Sequence, residues 1–171
     1  MPPALYVLCG LAFSGKSTLA AVLARHVEAV VVSLDEINAS RGLDGGAGIP
    51  AEEWARTHQE ALRVVERALA AGRSVVVDDT NCFRFLRDNY RAVAGPHGAR
   101  TLVLYLERPL ALILDRIREN EKIRSRPTVT PAVLQDLARK FEPPDADEES
   151  LVVPPDVPIE DWVAWHVARS G

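Results

Sequence analysis

The sequence is poor in the residues that build metal centres and disulfide frameworks. Cysteine occurs twice and histidine four times in 171 residues. Cys9 and Cys82 each lie in or beside an apolar run without CxxC spacing, so both read as buried, reduced thiols. His26, His58, His97 and His166 are scattered with no ligand spacing, and no zinc site is expected. No apolar run approaches the roughly 20 residues that span a bilayer. The N-terminal stretch MPPALYVLCG lacks a basic leader followed by a cleavage site, so the expected location is the cytosol. Positive charge is also lacking, with a formal net charge of -4. A general grip on duplex DNA draws on many Lys and Arg side chains and is not expected here. Contact with a charged metabolite or a nucleic-acid end depends on local charge and stays open.

What is present is ordinary globular composition, 47% hydrophobic and 26% charged, in a length that suits one domain over residues 1–171. Prolines and glycines fall between periodic segments and act as punctuation. Short apolar strands are expected at 4–9, 29–34, 74–77, 101–106 and 151–153. Between them the helical period predicts helices from Lys16, over 50–71, from about Phe83, from Pro109 and from Thr130-Pro131, with a last helix bearing Trp162 and His166. Residues 39–49, with four glycines and little periodicity, read as a mobile loop. The strands are solidly apolar rather than alternating, which means a mostly parallel five-stranded sheet with helices on both faces.

Residues 10–17, GLAFSGKS, fit G-x-x-x-x-G-K-[ST] between a buried strand and an amphipathic helix, the context this pattern requires. Gly10 and Gly15 let the backbone curl its N–H groups around phosphate oxygens, with Ser14 inside the loop and Thr18 just beyond it. The helix from Lys16 adds its positive end. Lys16 can reach the outer phosphates, and the Ser17 hydroxyl can hold Mg²⁺. Asp35 closes the second strand, where open α/β sheets place ligand-facing residues. It can take a proton from an entering hydroxyl, or it can N-cap a short helix from Glu36. Asp78 and Asp79 follow three valines, and a carboxylate there can hold the Mg²⁺ hydration shell or orient the acceptor; of the two, Asp78 is favoured for the metal and Asp79 for substrate. Thr80 and Asn81 are expected to cap the next helix. Between Arg116 and Arg126 lie five basic residues against two glutamates. They read either as a solvated helix face or as a small helical lid, about 116–131, whose guanidiniums stabilise a moving phosphoryl group.

Together, GLAFSGKST, Asp35, VVVDDTN and the arginine-rich stretch ending in KFEPPD resemble the P-loop kinase family over about residues 4–150. That family includes 5′-hydroxyl polynucleotide kinases, seryl-tRNA kinases and many small kinases. The resemblance implies a P-loop NTPase three-layer sandwich binding ATP and Mg²⁺. It implies phosphoryl transfer to a hydroxyl of a metabolite or a nucleic-acid terminus, with Asp35 as general base and Lys16 as an electrostatic stabiliser. A lid arginine near the family's valine-proline step contacts the phosphates; Arg124 and Arg126 are both candidates, with Arg116 at the donor. Arg41 is the displaced counterpart of an arginine that grips substrate phosphate, and Arg84 and Arg87 stand on the expected acceptor face. No N-K-x-D motif for guanine is present. The other functional class is a nucleotide-dependent ATPase or switch acting through a protein or RNA partner.

Overall fold

The computed structural model describes residues 2–43, 48–125 and 129–166 in full and 167–170 by backbone alone. Five strands, β1 (Ala4–Cys9), β2 (Val30–Ser33), β3 (Val75–Asp78), β4 (Arg100–Tyr105) and β5 (Ser150–Val152), form one all-parallel sheet in the order β2-β3-β1-β4-β5. The runs of Val and Leu suit strands covered on both faces. Alternate residues go to opposite layers. Leu5, Val7, Val75, Val77 and Val103 pack against Ala61, Val65, Leu69 and Tyr90, from α3 (Ala51–Ala70) and α4 (Arg84–Ala94). Leu8, Val76 and Leu104 pack the other way on Leu19, Leu23, Trp162 and Val163, from α1 (Lys16–Val27) and α7 (Ile159–Ser170). Fully burying each such side chain contributes about 1.5–3 kcal/mol.

The remaining helices gather at the carboxyl ends of the strands. The short α2 (Leu34–Ser40) follows β2 directly, and α5 (Leu110–Ile123) and α6 (Pro131–Lys140) lie between β4 and β5. A small apolar cluster of Phe13, Ile113, Ile117 and Leu134 seats α5 and α6 against the loop after β1. Thr130 caps α6 as expected, its Oγ1 accepting from the Val133 amide at 3.3 Å. The chain leaves β1 towards β2 and passes it again on the way to β4. A crevice therefore opens beyond β1 and β3, where sheets of this kind take ligands.

Two local expectations need correction. Thr80 and Asn81 do not cap α4: its N-terminal residue Arg84 has its amide bonded to the Glu142 carboxylate at 2.6 Å, and the Asn81 Nδ2 donates to Leu8 O at 2.7 Å. The loop at 39–49 begins later than expected, since α2 extends to Ser40; positions 44–47 lie outside the described residues. Both cysteines are buried and free, and burial pushes the Cys9 thiol up to about 12.

Candidate active site

The loop after β1 is shaped by what its glycines avoid. A Cβ on Gly10 would sit 3.0 Å from Leu106 O and 3.0 Å from Ser14 Oγ, so any side chain there would push the loop away from β4. Gly15 takes φ 103 as the N-cap of α1, a left-handed value that glycine adopts without strain. That helix end has no side-chain cap and no acid in its first turn, so its amides and dipole face the loop unopposed. Lys16 is 9% exposed, and its Nζ donates to Leu11 O at 2.7 Å. The loop thus encloses its own cation. Ser14 Oγ is buried with no hydrogen-bond partner among the described residues.

The acids converge from the neighbouring strands. Ser33 pairs in register with Asp78, and the Gly10 amide donates to Thr80 O at 3.0 Å, which places the end of β3 between the loop and α2. Burial pushes the Asp78 carboxyl up, while a hydrogen bond from Ser17 and the charge of Lys16 pull it back. The charges of Asp35 and Asp79 are felt there too. Gly10, Gly15, Lys16, Ser17, Asp35, Asp78 and Asp79 therefore share one end of the sheet. Asp35 is exposed in the first turn of α2. The capping alternative fails, because the side chain that caps α2 is Ser33, whose Oγ accepts from the Glu36 amide at 3.3 Å. Among the described residues, no side-chain hydrogen bond or ion pair explains Asp35 structurally.

The arginines do not stand together. Arg116 turns inward, its Nη1 donating to Phe13 O at 2.8 Å, whereas Arg118 and Lys122 pair with Asp115 and Glu119 one turn back. One basic run therefore holds both a loop contact and a solvated face. Arg124 is exposed at the C-cap of α5, and Arg126 lies outside the described residues. Arg41 is tied to α3 through Glu53 and through Thr57 Oγ1 at 2.6 Å. Arg84 forks onto Asp147 at 2.8 and 2.6 Å.

Arg87 does not stand on the acceptor face as expected but is buried, and Arg108 escaped the sequence reading altogether. Arg87 forms a fully buried pair with Glu148 at 2.7 Å and donates to Asn81 O at 2.9 Å and Glu142 O at 2.9 Å. It locks the acidic turn to the segment of the KFEPPD motif. Arg108 lies beside the loop, with Nη1 on Val153 O at 2.5 Å. Neither had a local signal for its long-range contact, because Glu148 lies 61 residues from Arg87 and Val153 lies 45 residues from Arg108.

The profile of a family described as AAA domain matches residues 5–144. The L-seryl-tRNA(Sec) kinase of Methanococcus maripaludis is 26% identical over 151 residues, covering 82% of this chain and 53% of the relative. The chain thus spans about half the length of that curated relative. Chaetomium thermophilum Kti12, solved in complex with ADP-AlF3, matches with a TM-score of 0.74 at 19% identity, covering 97% of this chain and 96% of its own. Mycobacterium tuberculosis APS kinase CysC, solved with AMPPNP and APS, matches with a TM-score of 0.69 at 17% identity, covering 98% and 96%. At these identities the structural likeness is one of fold.

Proposed function

The chain belongs to the AAA-domain family of P-loop kinases, and on that premise we propose that it transfers the γ-phosphoryl group of ATP to an acceptor hydroxyl. The observation that carries this reading is the convergence at Asp78, where the Ser17 hydroxyl bonds and the charges of Lys16, Asp35 and Asp79 all act. The register of Ser33 with Asp78 and the exposed position of Asp35 support a donor grip and a carboxylate at one crevice.

In this reading the loop amides, Ser14, Lys16, Thr18 and Arg116 hold the donor phosphates. Asp35 accepts the proton of the attacking hydroxyl, and Asp79 orients the acceptor. Lys16 and Arg116, with Arg124 and Arg126 brought in by the lid, offset charge as the phosphoryl moves. Arg41 and Arg84 could touch substrate only by leaving Glu53 and Asp147. The pairing of Ser17 with Asp78 offers hard oxygen donors that suit Mg²⁺. Among the described residues no group of three or more His, Cys, Asp or Glu could hold a metal, so most ligands would come from phosphate and water, as Mg²⁺ prefers. Bound there, the ion would supply charge neutralisation between the outer phosphates.

The acceptor is a hydroxyl on a metabolite or a nucleic-acid 5′ end, and the protein is cytoplasmic. No helix among the described residues is long and apolar enough to cross a membrane. The test is γ-labelled ATP offered with polyols, amino alcohols, nucleosides, 5′-hydroxyl oligonucleotides and seryl-tRNA. Label appearing on one acceptor supports the reading. ATP turnover that no acceptor accelerates would instead favour a switch working through a partner.

A further inference from the structure

Among the described residues, six arginines are buried or half-buried: Arg41, Arg84, Arg87, Arg91, Arg108 and Arg116. The first four each form an ion pair with a carboxylate, while Arg108 and Arg116 form none. The two exceptions are neighbours at the same place. Arg116 reaches Phe13 O, and its Nη1 lies 3.9 Å from where a Cβ on Gly15 would stand, so it touches the phosphate loop itself. Arg108 comes from the turn between β4 and α5. Its Nη1 donates to Glu107 O at 2.9 Å and Val153 O at 2.5 Å, and its Nε is buried with no partner. It lines a cavity of about 200 Å³ together with Leu11 of the loop and Leu106.

Two half-buried guanidiniums, close enough to repel and without a paired acid among the described residues, oppose folding unless an anion joins them. Burial and the charge of Arg116 push Arg108 down from the usual arginine range, in keeping with that repulsion. The backbone carbonyls that Arg108 touches orient it without neutralising it. We propose that Arg108 is a further donor-binding residue, forming with Arg116 a cationic corner that takes the polyphosphate of a nucleotide. The inference rests on the loop being the ATP site, and adds a contact outside both the loop and the basic lid run.

A merely structural Arg108 would fasten the turn after β4 to the end of β5 through Val153 O. The two roles predict opposite results. The test measures binding of Mg-ADP and of inorganic tripolyphosphate by calorimetry, and ligand-free melting, for wild type, Arg108→Met, Arg108→Lys and Lys16→Met. The expected outcome for Arg108→Met is binding of both probes weakened by about 10- to 100-fold, the worth of one charge-assisted contact. Its ligand-free melting temperature stays level or rises, because one of two repelling cations is gone. Arg108→Lys keeps most of the affinity. An Arg108→Met protein that melts earlier yet binds within twofold of wild type overturns the proposal, as does weakening confined to Mg-ADP, which would put Arg108 on the base. If Arg108→Met does not fold, Arg108→Lys decides: affinity near wild type for both probes supports the corner, and loss of both refutes a charge role. Wild type binding neither probe, or Lys16→Met binding as wild type does, would overturn the donor site itself.

Discussion

Arg108 and Arg116, beside the phosphate loop, face no carboxylate among the described residues, whereas Arg41, Arg84, Arg87 and Arg91, on the flank of α2, α3 and α4, each hold one. The same residue type thus does two jobs in one small molecule. On the α2–α4 flank, charge is cancelled internally and becomes rigidity: Arg87 and Glu148 are both 0% exposed and fasten the acidic turn to residues 142–148. At the loop, charge is left over, together with the uncapped N-terminus of α1. A surplus of that kind suits a polyanion arriving from outside. On the proposed reading, an acceptor near Asp35 and Asp79 meets no unpaired half-buried arginine of the α2–α4 flank among the described residues.

The contrast can be broken at its strongest point first. Arg87→Met leaves Glu148 buried without its main partner and is expected to cost about 3–5 kcal/mol of stability, seen in urea or thermal unfolding. A loss below about 1 kcal/mol would remove Arg87 from the framework. Acid sharpens the same point. Burial pushes the Glu148 carboxyl up, but the hydrogen bonds from Arg87 and the Asp145 amide, with the charges of Arg87 and Arg91, outweigh it and hold it below the ordinary 4.5. A depressed carboxyl stabilises the fold above its unfolded pKa, and that contribution disappears as pH falls through the folded value. Stability of the wild type should therefore fall more steeply below pH 4.5 than that of Glu148→Gln, which has no such carboxylate to protonate.

Smaller effects are expected where the pairs are open to solvent. Arg41→Ala and Arg84→Ala should each cost about 1 kcal/mol or less, because the pairs they break are partly exposed. Nucleotide affinity should not change in either variant. If either one weakens the acceptor's KM more than tenfold, the α2–α4 flank does receive an anion and the contrast drawn here fails.

Much of the site was legible because the chemistry demands neighbours in sequence. Gly10, Gly15, Lys16 and Ser17 must be contiguous to wrap a phosphate, and the strand and helix on either side showed in the hydrophobic period. Asp78 was readable from the valines before it. Asp35 was readable only as a pair of alternatives, since a strand end shifted by two residues decides whether it or Ser33 caps the helix; Ser33 does. The pairing of Arg84 with Asp147 and of Arg87 with Glu148 spans 63 and 61 residues, and no local pattern encodes it. Arg108 was hidden for a similar reason: between Glu107 and Pro109 it looks like a turn charge, and its contact is Val153 O, 45 residues on. The basic run was half legible, because helical phase sends Arg116 to the loop and Arg118 and Lys122 to acids on the outer face.

The central claim is that one end of the sheet combines a donor grip with a base, and Asp35→Asn tests it most directly. The variant removes the proposed proton acceptor, which makes no capping bond, so Mg-ADP affinity and melting should stay at wild-type values. Acceptor-dependent transfer of labelled phosphoryl should fall by about 10²- to 10⁴-fold, the usual worth of a general base. Transfer at the wild-type rate in Asp35→Asn would contradict the account.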